Sequence, residues 1–190
     1  HLLRQLVKTT LNLEMAATDA MIGFALDVKP DLVTLVPEKR EERTTEGGLD
    51  VAGQRERLAE VKARFDEASI PLSLFIDPDE AQIRAAVELG VDSIELHTGD
   101  YCEAEGEDAL DLELQRLMAA AALAEQLSPD LTVAAGHGLT SRNLVELVAS
   151  VPQLEELNIG HALIADAVFL SLKGAVEAYQ EAIELGEAER

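Results

Sequence analysis

Short β-rich runs alternate with helical runs from one end of this 190-residue chain to the other, and this pattern constrains the fold more than any single motif does. Residues 9–14, 31–36, 71–76, 91–96, 131–135 and 154–159 read as short strands. The stretches between them carry helix signals. Thr18 caps a helix running to about Val28. Pro78-Asp79-Glu80 opens a helix that Gly90 stops after Leu89. Apolar residues recur at helical spacing over about 50–68, 109–126 and 141–150, and from His161 to near Leu185. The alternation predicts one α/β domain over residues 1–190, built on a parallel sheet. No G-x-G-x-x-G follows the first strand. Polar residues gather instead at strand ends: Glu14, the Glu38 to Thr45 loop, Asp77, His97-Thr98, His137 and Gly160-His161. A TIM barrel places all such ends around one mouth, so the barrel is expected rather than a doubly wound open sheet.

Charge and composition narrow the function classes. The net charge of −22 argues against nucleic acid and against anionic membrane surfaces, both of which need a basic face. No apolar run reaches the ~18 residues of a membrane span, and no signal-peptide pattern is visible, so a cytoplasmic protein is expected. Apolar residues make up 47% of the chain, which marks a globular protein rather than a disordered one. The single cysteine, Cys102, excludes an intramolecular disulfide and a cysteine-based metal cluster, and nothing beside it in sequence would activate it. No two histidines stand at i, i+4, so no tightly bound metal is expected.

Two segments suggest a ligand. Ala134-Ala135-Gly136-His137-Gly138-Leu139-Thr140 and Leu157-Asn158-Ile159-Gly160-His161-Ala162 each follow a strand and precede a helix. Glycine lets a ligand approach the backbone, and the next helix's first N–H groups then point at it. Many TIM barrels build a phosphate site in this way after strands 7 and 8. Tight βα turns alone would explain one such junction; two in succession favour phosphate binding.

Other residues are candidates for chemistry. Glu14 ends an apolar strand, where partial desolvation would lift its carboxyl toward the range of a general base; an ion pair or a helix cap is the alternative. Asn12 lies on the same face and could orient it. Pro37 to Gly48 holds three cations, two hydroxyls and a double glycine, which suits a lid over an anion or, equally, a solvated surface loop. Glu95 and His97 share a strand face and could relay a proton or form a structural hydrogen bond.

These segments, with Leu35-Val36-Pro37-Glu38-Lys39-Arg40, Thr44-Thr45-Glu46-Gly47-Gly48-Leu49-Asp50-Val51 and Ser73-Leu74-Phe75-Ile76-Asp77, resemble the pyridoxine 5′-phosphate synthase family. The resemblance implies a TIM barrel that condenses 3-amino-2-oxopropyl phosphate with 1-deoxy-D-xylulose 5-phosphate, giving pyridoxine 5′-phosphate, phosphate and water, without cofactor or metal. It further implies that Glu14 is a general base and His137 a proton donor. Thr44 would contact the deoxyxylulose phosphate, Gly138, Gly160 and His161 would bind the amino-ketone phosphate, and the protein would be a homo-oligomer, an octamer. Family members open with two further strands, one bearing Asn-x-Asp-His and the other His-x-Arg. The chain is therefore expected to hold six of the eight βα units. A catalytically incomplete, phosphate-binding barrel fragment is the alternative reading.

Overall fold

The computed structural model describes residues 1–38 and 47–190. Six strands, β1 (Asn12–Met15), β2 (Leu32–Leu35), β3 (Leu72–Ile76), β4 (Ser93–His97), β5 (Thr132–Gly136) and β6 (Leu154–Asn158), form one sheet. Each pairs in parallel with the next in sequence. A doubly wound sheet reverses its strand order at a switch point. This order never reverses, so the six βα units follow the TIM-barrel pattern. Among the described residues, β1 and β6 are each paired on one side.

The helices are α1 (Leu2–Leu6), α2 (Asp19–Val28), α3 (Arg55–Glu67), α4 (Glu80–Leu89), α5 (Gly99–Glu103), α6 (Glu107–Leu127), α7 (Leu144–Ser150) and α8 (His161–Ala188). Their ends follow local chemistry. Thr18 Oγ1 accepts from Met21 N–H at 3.3 Å. Asp79 accepts from the N–H groups of Ala81 and Gln82, and Gly90 takes the left-handed turn that ends α4. Three expectations need correction. Residues 50–54 form a turn rather than helix, because Gln82 Oε1 takes the N–H groups of Val51 and Ala52 and Asp50 takes that of Gly53. The stretch between β4 and residue 109, to which the apolar spacing assigns no helix, contains the short α5. Helix α7 starts at Leu144 instead of Ser141, since Asn143 Oδ1 holds Thr140 N–H at 2.8 Å and keeps residues 140–143 in a turn.

The central strands carry the core. Val33, Leu35, Leu72, Leu74, Ile76, Ile94 and Leu96 are buried, together with Ile22, Leu58, Phe65, Ile83 and Leu117 from the helices. Each such side chain contributes about 1.5–3 kcal/mol of burial free energy. All five residues of β4 are buried, whereas β6 has none that is fully so. The β5–β6 pairing contains one register shift: Val133 faces Leu154, but Ala134 faces Glu156. Leu154 and Leu157 consequently both pack against the core. Helix α8 is interrupted at Ser171 (φ 67°, ψ 159°). Its later half buries Ala175, Tyr179 and Ala182, while its earlier half exposes Val168 and Phe169. Among the described residues, no helix is long and apolar enough to cross a membrane.

Candidate active site

The C-terminal strand ends surround a cavity of about 770 Å³, lined by Glu14, Gly47, Phe75, Glu95, His137, Gly138, Asn158, Gly160 and His161 among others. The fold thus brings together Glu14, Glu95, His137, Gly138, Gly160 and His161. Asn12 and His97 sit behind this lining, and Thr44 lies outside the described residues, as does most of the expected lid.

The two glutamates differ from expectation. Glu14 is exposed, because among the described residues β1 has a neighbour on one side only; the desolvation expected for it falls instead on Glu95, which is 5% exposed at the centre of the sheet. Burial, and then the negative charge of Glu14, push the Glu95 carboxyl up to about 7. Asn158 Nδ2–H donates to it at 2.9 Å and pulls the other way. The Glu95 carboxylate packs directly over Gly136, and a Cβ there would displace it. Asn12 is not turned to Glu14: it accepts the Thr34 hydroxyl at 3.0 Å. Nor does His97 pair with Glu95. Its Nδ1 lies 3.1 Å from Asp77 Oδ1, because the cross-strand neighbour is closer to the ring than the residue two places back. That contact, more than any other, draws the Asp77 carboxyl below its usual range.

The two glycine–histidine junctions, alike in sequence, are built differently. After β5, His137 (φ 83°) and Gly138 (φ 78°) are both left-handed. The buried Thr98 hydroxyl shares its proton between the carbonyls of Gly136 (2.8 Å) and His137 (2.6 Å) and holds this conformation. A Cβ at Gly138 would lie 2.8 Å from Cys102 Cβ. Burial pushes the Cys102 thiol up to about 11, consistent with a packing role. With α7 delayed to Leu144, this junction offers strained backbone rather than a helix end. After β6, Gly160 is itself the N-cap and α8 begins at His161, so the helix's first N–H groups stand at the cavity. A Cβ at Gly160 would meet no atom within 4 Å.

Sequence reasoning left two contributors without a role. Asn158 is a polar residue inside an apolar strand run, and Asp77 was seen only as one of several polar strand ends. Their partners depend on the cross-strand register, which the sequence does not display.

Comparison with known proteins agrees with this architecture. Residues 1–185 match the family described as Pyridoxal phosphate biosynthesis protein PdxJ. A pyridoxine 5′-phosphate synthase of Synechococcus sp. (strain JA-2-3B'a(2-13)) is 55% identical over 185 residues, 97% of this chain and 76% of that protein. Those of Trichormus variabilis and Aliivibrio fischeri are each 53% identical, over 96% and 93% of this chain and 75% and 71% of theirs. Among solved structures, the native KDPGal structure aligns with a TM-score of 0.60 at 16% identity, covering 94% of this chain and 72% of that one. The YdjI aldolase of Escherichia coli K12 aligns at 0.55 and 12% identity, covering 94% and 65%. At such identities these two speak for the fold alone. The match along nearly the whole chain and the identity to its curated relatives establish that this chain belongs to the PdxJ family of pyridoxal phosphate biosynthesis proteins.

Proposed function

We propose that this chain acts as a pyridoxine 5′-phosphate synthase, condensing 3-amino-2-oxopropyl phosphate with 1-deoxy-D-xylulose 5-phosphate to give pyridoxine 5′-phosphate, phosphate and water. The observation that carries the proposal is its 51–55% identity to curated relatives bearing that name. The cavity supports it. The amino-ketone phosphate takes the Gly138 backbone and the α8 N-terminus at Gly160-His161, where N–H groups compensate an anion in an otherwise acidic protein. Thr44 contacts the deoxyxylulose phosphate. A Schiff-base condensation with successive dehydrations moves several protons. Glu14 removes one as general base, and His137 delivers one to a departing oxygen. Glu95, with its carboxyl lifted to about 7, can exchange a proton with the reacting atoms near neutral pH without a large penalty either way. We further propose a cytoplasmic homo-oligomer.

The one-sided pairing of β1 and β6 favours a second reading for these 190 residues as an isolated polypeptide: a partial barrel that binds phosphate without turning over. Incubating the purified chain with both substrates and measuring pyridoxine 5′-phosphate by chromatography separates the two. Product formation supports the synthase. Saturable phosphate binding without product supports the second reading.

A further inference from the structure

We propose that Asp77 and His97 are a positioning pair for His137: Asp77 fixes the orientation and tautomer of the His97 ring, and that ring is the wall holding the His137 imidazole at the cavity. The proposal rests on the reading of His137 as the proton donor.

The geometry starts at Asp77, just past the end of β3. Its Oδ1 accepts Gly48 N–H at 2.7 Å and faces His97 Nδ1 at 3.1 Å. The backbone there is itself tied, with Asp79 N–H on the Asp77 carbonyl at 2.8 Å. His97 is 7% exposed, and its Nε2 is buried with no hydrogen-bond partner among the described residues. A proton on Nε2 would be a buried donor without an acceptor, and it would turn the Nδ1 lone pair toward a carboxylate. A proton on Nδ1 satisfies Asp77 and leaves on Nε2 only an unused acceptor, the cheaper defect. Gly99 makes room for this ring: a Cβ there would lie 2.5 Å from Nε2.

The fixed ring then meets two others. His97 and His137 have centroids 5.0 Å apart with planes at 54°, and Phe75 packs edge-on against His97 at 5.2 Å. Because His137 has left-handed backbone, no regular strand geometry aims its side chain. The ring wall supplies that aim. The other charged groups near the pair are Glu95, on the same strand, and Arg116 of α6, which acts on Asp77.

The test uses the full chain and two variants, Asp77→Asn and His97→Phe, with folding checked by thermal unfolding. Long-range 1H–15N spectra of the four histidines, assigned with His97→Phe, should show His97 as the Nδ1–H tautomer. In Asp77→Asn that signal should change and the His137 ring resonances should shift. Steady-state kinetics should show kcat lower by about 10- to 100-fold, the usual cost of a misplaced catalytic group, with KM for the amino-ketone phosphate nearly unchanged. Asp77→Asn should cost almost nothing more in a His137→Asn background, because the pair acts through His137. An Nε2–H tautomer, an unmoved His137 ring, or full additivity with His137→Asn would each overturn the proposal. If the wild-type chain makes no product, the synthase reading fails, yet the tautomer and the His137 shift still decide the pair.

Discussion

The centre of the sheet and its two edges contribute the same kinds of residue to one cavity but hold them in opposite ways. At the centre, Glu95 is buried on β4, hydrogen-bonded by Asn158 and packed over Gly136. Gly138 is left-handed and sits on Cys102. At the edges, Glu14 on β1 is exposed, and Gly160 after β6 has open space where a side chain would go. Central site residues are therefore also structural residues, and changing them perturbs stability and chemistry together. Edge site residues can be changed with little consequence for the fold, so their substitutions report on function alone.

The largest expected effect tests the edge side. Glu14→Gln should lower turnover by about 10² to 10⁴, the usual weight of one acid–base group, while the unfolding temperature stays where it was. More than a tenth of the activity remaining would remove Glu14 from the catalytic groups; a large loss of stability would break the comparison itself.

The two glycines sharpen it next. Gly138→Ala combines a left-handed backbone with a clash against Cys102 and should destabilise the chain by about 2–4 kcal/mol. Gly160→Val adds a side chain into open space. It should leave stability within about 1 kcal/mol yet abolish phosphate binding by blocking close approach. Denaturant unfolding and calorimetric phosphate titration of both variants read the two quantities separately.

A third test uses pH. Folded Glu95 keeps its proton up to about 7, whereas the unfolded residue releases it near 4.5. Its contribution to stability is complete below about 4.5 and is lost as pH rises through 7, a change of the order of 3 kcal/mol. Urea unfolding across that range should show wild type losing stability relative to Glu95→Gln; a difference independent of pH would mean that Glu95 is not desolvated. The smallest effect is expected from His161→Gln. If phosphate is held by the α8 backbone, affinity should fall by only about threefold, the weight of one weak side-chain hydrogen bond. A loss as large as that of Gly160→Val would shift the binding role to the imidazole.

Much of this was legible in the sequence, for identifiable reasons. Strand and helix order followed from apolar periodicity and from caps such as Thr18, Asp79 and Gly90, which act locally. The polar strand ends pointed to a single mouth. What stayed hidden depends on the register between strands. Glu95 and His97 lie two residues apart and look like partners, but Asp77, just past the adjacent β3, and Asn158, on β6 across β5, take those places. The exposure of Glu14 likewise reflects which strands flank β1 and cannot be read from an apolar run. The two glycine–histidine junctions looked equivalent because sequence does not display the left-handed backbone at His137.

The register shift between β5 and β6 has a consequence for the chemistry. Leu154 and Leu157 are three residues apart, so in a regular strand they would point to opposite faces. One extra residue after Leu154 changes the phase of everything downstream: Leu157 turns back into the core, and Asn158 turns to the cavity, where its amide reaches Glu95. A flat strand of the same length would reverse that parity, burying the amide among apolar side chains and leaving the glutamate without its donor, whereas deleting Glu155 would remove the bulge and keep Asn158 opposite Gly136. The bond that moderates the acidity of Glu95 is thus set by an irregularity two strands away, at a point in β6 that touches neither the carboxyl nor its donor.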